Sequence, residues 1–335
     1  MLKFTAVAAV ASFAAASSAT VKHAQHAPTD FDWETISPSW DLHFTSCYDE
    51  FQCARLLVPV DWLEEDTAKR NSKTMAIAVI RMPANLTDAS SHGGAVIVNP
   101  GGPGNSGIQE ILTNGHFLRN LVDSSHKRFD VMSFDPRGMG SSTPAADCFA
   151  SEAERQLYNA QSLGALLGGR ETDLSDASVA RKRANAQALG HKCMLPGPDG
   201  YVVQEFMSTA SVARDMLQIV DKLENLRMVE KSSDETEIGL DGRKGQAPLG
   251  NADATKSKED AGDEVRNLPR LQYLGLSYGT MLGNTFISMF PERVKRMVLD
   301  GVIVPEDYTA GVSLRLLLKA SFTHCQAMDL NMEIL

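Results

Sequence analysis

The chain is 335 residues long, 43% hydrophobic and 22% charged, with 42 acidic against 32 basic residues. Such a composition fills a core of ordinary size, in one large α/β domain or two smaller ones. The net charge of −10 supplies no basic footprint, which disfavours nucleic acid and membrane lipid as partners.

Residues 1–19 read as a secretory signal peptide. Lys3 gives the positive start, residues 4–16 an uncharged Ala-rich stretch, and Ser17 and Ala19 a small-x-small cleavage site. The stretch is short for a bilayer span, and no later segment is long enough. An exported, extracellular chain meets an oxidising compartment, where its five cysteines pair more readily than they catalyse. Cys47 with Cys53 would close a small loop and Cys148 with Cys193 a longer one, leaving Cys325 over; spacing alone leaves the connectivity open. Asn85-Leu86-Thr87 is a glycosylation sequon suited to a surface loop.

Residues 20–43, polar and containing Pro28 and Pro38, form an N-terminal segment, and a core domain is expected over 44–305. Aliphatic and β-branched runs predict strands at 53–60 and 74–81. The nearly continuous apolar run at 94–98 has the pattern of a parallel strand buried on both faces, repeated at 129–134, 271–276 and 296–299. Between them, 145–200 reads as a mainly helical excursion. A helix over 209–223 places Val212, Met216, Ile219, Val220 and Leu223 on one face, with Ser208 or Thr209 as its cap. The stretch 229–266 holds ten acidic and six basic residues and no aromatic ring, the composition of a solvated disordered insertion. Strands alternating with amphipathic helices predict an α/β fold, a mostly parallel sheet with helices on both faces.

Three glycine-rich blocks follow predicted strands. Gly275-Leu276-Ser277-Tyr278-Gly279 sits between a strand and a helix, as a nucleophilic serine on a tight turn requires. The glycines make room for strained backbone, and the helix N-terminus favours developing negative charge. Acyl transfer also needs two N–H donors for the oxyanion, one from the residue after the nucleophile and one from an earlier glycine-rich loop. Tyr278 and, within Asn99-Pro100-Gly101-Gly102-Pro103-Gly104, Gly102 fit those parts, with Gly101 in support; Pro103 has no N–H. That loop lacks the Lys-Ser/Thr ending of a phosphate-binding loop. In the third block, Asp135-Pro136-Arg137-Gly138, a structural role is expected for Asp135 and Arg137, as a charged pair or hydrogen-bond clamp that fixes the loop.

In this order the three blocks resemble the secreted tripeptidyl aminopeptidase family, a branch of the α/β-hydrolases related to proline iminopeptidases. The resemblance extends to the lead from Cys53 to Trp62, the 209–223 helix, and Phe290-Pro291-Glu292-Arg293-Val294 running into Met297-Val298-Leu299-Asp300-Gly301. It implies an α/β-hydrolase fold and a secreted serine exopeptidase that removes short peptides from free N-termini; no cofactor is implied. No His/Cys/Asp/Glu cluster has metal-ligand spacing. An α/β-hydrolase triad runs Ser, acid, His along the chain, yet His324 is the one histidine after Ser277. It falls in the predicted helix 313–327, within the start of a cap region at 306–335. Asp300 is read as a loop residue leading into that cap. The sheet is therefore expected to be incomplete on its C-terminal side, with an open apolar edge and with the triad acid and histidine beyond Leu335. Three functional readings stand: a serine aminopeptidase, an esterase on the same scaffold, and a non-catalytic product. Oligomeric state is left open.

Overall fold

The computed structural model describes residues 31–86, 88–149, 151–168, 176–197, 200–238 and 268–309. The signal peptide expected at 1–19, the sequon's Thr87, His324 and Cys325 lie outside them, as does all of 306–335 beyond Thr309.

Seven strands form one mixed sheet: β1 (Thr45–Cys47), β2 (Phe51–Pro59), β3 (Thr74–Met82), β4 (His92–Asn99), β5 (Arg128–Phe134), β6 (Leu271–Leu276) and β7 (Val294–Asp300). They lie in the order β1-β2-β3-β5-β4-β6-β7. The first three pairings are antiparallel, and β5, β4, β6 and β7 run parallel. The chain goes from β4 outward to β5 and then returns past β4 to β6. Strand order thus reverses beside β4, and ligands bind at the carboxyl ends of strands at such a reversal.

The side chains of β3 show how period-two alternation fills both layers. Ile77 and Val79 join Leu56, Val58, Met132 and Phe134 in one core, whereas Ala78, Ile80 and Met82 join Val96, Val98 and Val131 in the other. Helix α2 (Gly107–Val122) covers the second core with Ile108, Ile111 and Leu118. The first is covered by α5 (Thr209–Ile238) through Val212, Met216, Ile219 and Val220, and by α6 (Tyr278–Met289) through Leu282 and Phe286. The expected α/β class, with helices on both faces, is the observed one.

Helix α1 (Thr67–Arg70) is a single turn between β2 and β3, and α3 (Glu152–Gly168) and α4 (Asp176–Cys193) fill the helical excursion. Ser208 caps α5, its Oγ accepting from Ser211 N at 3.1 Å. That helix runs to Ile238, farther than the apolar periodicity reached, because polar residues such as Lys222, Glu224 and Arg227 continue it along solvent. Both expected disulfides are present, Cys47–Cys53 and Cys148–Cys193. Among the described residues β7 pairs only with β6. Its residues are half-buried or exposed, with Val298 58% exposed; the strand is half-solvated, as an open edge would be, although its apolar run at 296–299 has the pattern of a buried one. A short helix, α7 (Pro305–Thr309), is the last among the described residues.

Candidate active site

Ser277 stands at the carboxyl end of β6, directly before α6, with φ 52° and ψ −119°. A non-glycine residue at such angles carries strain of about 1–3 kcal/mol, and the surroundings hold it there. Its N–H donates to the Asp300 carbonyl at 2.9 Å, and its own carbonyl accepts from Thr280 N and, at 2.7 Å, from Thr280 Oγ1. Ile303 N closes the arrangement by donating to Thr280 Oγ1 at 3.0 Å. The Ser277 side chain is exposed, and its hydroxyl makes no hydrogen bond among the described residues.

The two flanking glycines are required by close approach. A Cβ on Gly275 would fall 2.5 Å from the Gly279 carbonyl oxygen, and one on Gly279 would fall 2.6 Å from the Asn99 carbonyl oxygen. Gly279→Ala must therefore push the elbow away from β4. We expect at least a hundredfold loss of reaction at Ser277 from a shift of about an ångström, read as the rate of covalent labelling by a phosphonate probe. An unchanged rate would show that this contact does not set the serine's position.

The loop after β4 lies against the elbow. A Cβ on Gly101 would meet Leu276 O at 2.4 Å, Tyr278 N at 2.9 Å and Ser277 Cβ at 3.0 Å. Gly101 N–H donates to Asn99 Oδ1 at 3.0 Å, so its amide is engaged within the loop. Gly102 follows, exposed and at φ 109°. The structure thus brings Gly101, Ser277 and Tyr278 together. Asn99 was not singled out from sequence, although it abuts Gly279 and orders the glycine loop; its place directly before Pro100 was the available clue.

Asp135 fixes the other end of that loop. One carboxylate oxygen accepts from Ser106 Oγ at 2.6 Å and Ile108 N at 3.1 Å, and the second from Ser141 N at 2.7 Å. Burial pushes its carboxyl above the ordinary range, while the bonds from Ser106, Ser141 and Ile108 pull the other way. Asp135 is a hydrogen-bond clamp, as expected. Arg137, however, is not its charge partner. The Arg137 guanidinium is fully buried and reaches Asp215 on α5, with Nε to Oδ2 at 2.7 Å and Nη2 to Oδ1 at 2.5 Å. Its remaining donors meet the carbonyls of Pro59, Val60 and Phe206. Trp62 Nε1 donates to Asp215 Oδ1 at 2.8 Å. Asp215 was missed because it lies 78 residues away in sequence, within a helical pattern that predicts only its neighbours' burial.

Tyr278 joins the elbow to α5, its hydroxyl 2.6 Å from Thr209 Oγ1, and its ring packs on Tyr308 at 5.8 Å. Burial raises its phenol above the ordinary value, so it stays neutral over physiological pH. Two described histidines are engaged elsewhere: His92 at the amino end of β4 lies 3.4 Å from Asp130, and His116 on α2 is 2.7 Å from Glu50. No described histidine bonds the Ser277 hydroxyl.

An exposed serine on a strained strand-to-helix turn, at the carboxyl edge of a helix-covered sheet, has the placement of a nucleophile elbow in the α/β-hydrolase fold. A family model described as alpha/beta hydrolase fold matches residues 94–226. Among individual proteins, the chain is similar to the serine protease Hip1 of Mycobacterium tuberculosis, 30% identical over 253 residues, or 76% of this chain and 36% of that protein. It is similar to the tripeptidyl aminopeptidase of Streptomyces coelicolor, 28% identical over 293 residues, covering 87% and 41% respectively. Carboxylesterase B of M. tuberculosis is 33% identical over 165 residues, 49% of this chain and 28% of that enzyme. The resemblance to the tripeptidyl aminopeptidase family therefore holds across most of the chain, beyond its three glycine-rich blocks. The chain spans only 36% and 41% of the length of the first two of these relatives.

Proposed function

We propose that this chain carries the nucleophile of an exported serine exopeptidase that releases short peptides from free N-termini. Ser277 Oγ adds to the scissile carbonyl, and its proton passes to a histidine base. The negative oxygen is held by the amides of Tyr278 and Gly102. The tetrahedral adduct expels the leaving amine, which takes the proton, and water then hydrolyses the acyl-enzyme. The observation that carries this reading is the packing of the Gly101 backbone on Ser277 and Tyr278, which joins nucleophile and donor loop at one edge. Peptidase-named relatives support a peptide substrate. The residues that act as base and acid are a separate question. Both follow the nucleophile in chain order in this fold, and His324, the one histidine after Ser277, lies outside the described residues.

The likeness to a carboxylesterase favours a second reading, ester hydrolysis on the same elbow. Three chromogenic substrates separate them: a free-amine tripeptide anilide, its N-blocked counterpart and a short acyl ester. Preference for the free amine is the expected result. Turnover of the ester alone would replace the exopeptidase reading with the second, and silence towards all three would show that the chain has no working base. Where turnover occurs, the rate is expected to fall below a pKa near neutrality, since a histidine base acts unprotonated. A flat profile from about pH 5 to about pH 8 would exclude that base.

A further inference from the structure

The parallel strands begin in basic residues, on the edge of the sheet opposite Ser277. β5 opens at Arg128 after Lys127, β4 at His92, β6 follows Arg270, and β7 opens Val294-Lys295-Arg296. Their order, β5-β4-β6-β7, sets these starts side by side at strand spacings of about 4.8 Å, so the cations form a row. Arg227 on α5 extends it. Burial, then the charges of Arg296, Arg270, Arg227 and Lys127, push the Lys295 ammonium below the ordinary lysine range.

Few carboxylates answer these charges. Asp123 is 3.3 Å from Arg128, Glu224 is 2.7 Å from Arg227, and Asp221 is engaged by Arg293. Lys127 Nζ meets only a carbonyl dipole, that of Ser90, at 2.8 Å. Arg270, Lys295 and Arg296 are exposed and make no ion pair among the described residues, although Glu292 stands exposed three positions before Lys295. A chain of net charge −10 thus gathers on one edge cations that meet no carboxylate among the described residues. Exposed apolar side chains flank them: Leu268 before Arg270, Met228 beside Arg227, and Leu121 at the end of α2. The last is tied to the start of β5, because Asp123 Oδ1 accepts from Phe129 N at 2.9 Å.

We propose that this strand-start edge docks on an anionic lipid surface. Lys127, Arg270, Lys295 and Arg296 meet headgroup phosphates, and Leu121, Met228 and Leu268 enter the interfacial layer. The apolar flank favours lipid over a nucleic acid strand, which would call for aromatic stacking platforms. Attachment is peripheral, since no described helix is long and apolar enough to cross a membrane. Docked this way, the Ser277 edge faces away from the surface and stays open to substrate in solution. The low overall charge balance hid this edge from a reading of composition.

The test is co-sedimentation of the full chain with phosphatidylcholine vesicles and with vesicles in which about a third of the lipid is phosphatidylglycerol. Binding is expected only to the anionic vesicles, and it should weaken strongly between ~0.05 M and ~0.5 M salt. The double variant Lys295→Glu/Arg296→Glu should reduce it by about tenfold or more. Lys182→Glu/Arg183→Glu, on the exposed face of α4 and equal in net charge change, should leave it within about twofold. Circular dichroism checks the fold, and Arg270→Glu in the loop before β6 serves as a second probe if the edge-strand pair misfolds. No binding to anionic vesicles, equal losses in patch and control variants, or retention on soluble heparin without vesicle binding would each overturn the proposal. None of these readouts depends on hydrolysis, so failure here is separate from failure at Ser277.

Discussion

Ser277→Ala is expected to abolish covalent labelling by phosphonate probes and to eliminate any acyl hydrolysis the protein shows. Where a complete triad acts, the loss should be on the order of 10⁶-fold in kcat. The variant should fold as the parent does. Ser277 is exposed and its hydroxyl holds no hydrogen bond among the described residues, and alanine at φ 52° is strained no more than serine. Unfolding midpoints that differ by no more than about 0.5 kcal/mol, with reactivity gone, would fix the chemistry on this hydroxyl. Undiminished turnover would instead place the nucleophile elsewhere and remove the elbow from the mechanism.

The second large effect is on stability. Asp215→Ala leaves the fully buried Arg137 guanidinium without its counter-charge. An uncompensated buried charge costs about 3–5 kcal/mol, and the lost bond from Trp62 adds to it. For a domain of this size, about 2–4 °C of melting temperature goes with each kcal/mol, so a drop near 10 °C is expected. Removing both charges, as in Arg137→Met/Asp215→Leu, should recover much of the loss, because well-packed apolar residues replace a buried ion pair at little cost. Denaturant titration of the two single variants and the double gives the coupling directly. If Asp215→Ala unfolds within about 1 kcal/mol of the parent, the pair does not carry the weight assigned to it.

These two sites show what sequence could and could not convey. The elbow's pattern was legible because the residues that define it are local, although Asn99, Asp300 and Ile303 also constrain it from a distance. The strand, the two glycines and the following helix occupy one short stretch, and β6 was placed at Leu271–Leu276 because its apolar run is continuous. The glycine loop after β4 was legible as a block for the same reason, and its Gly101 packs on the elbow. Of the two roles read for Asp135, charged pair or clamp, the structure shows the clamp, with partners Ser106, Ile108 and Ser141 in neighbouring glycine-rich segments.

Arg137 was not assigned to Asp215, because helical periodicity says which face is buried and nothing about a charge on it. The contact of Tyr278 with Thr209, 69 residues apart, was hidden likewise. The length of α5 escaped for a different reason: the sequence of its distal turns, 230–237, is polar throughout, and periodicity of apolar residues has nothing to report there. β7 was recognised as a strand from its sequence, but its half-exposed pattern depends on what lies beside it.

The hydrogen bonds around the elbow have a mechanical meaning. Asp300 holds the Ser277 amide, and Ile303 holds the Thr280 hydroxyl that in turn braces the Ser277 carbonyl. The nucleophile is thereby buttoned on both sides to the segment leaving β7. The orientation of the serine is therefore coupled to the backbone leaving β7, through bonds that leave its hydroxyl untouched.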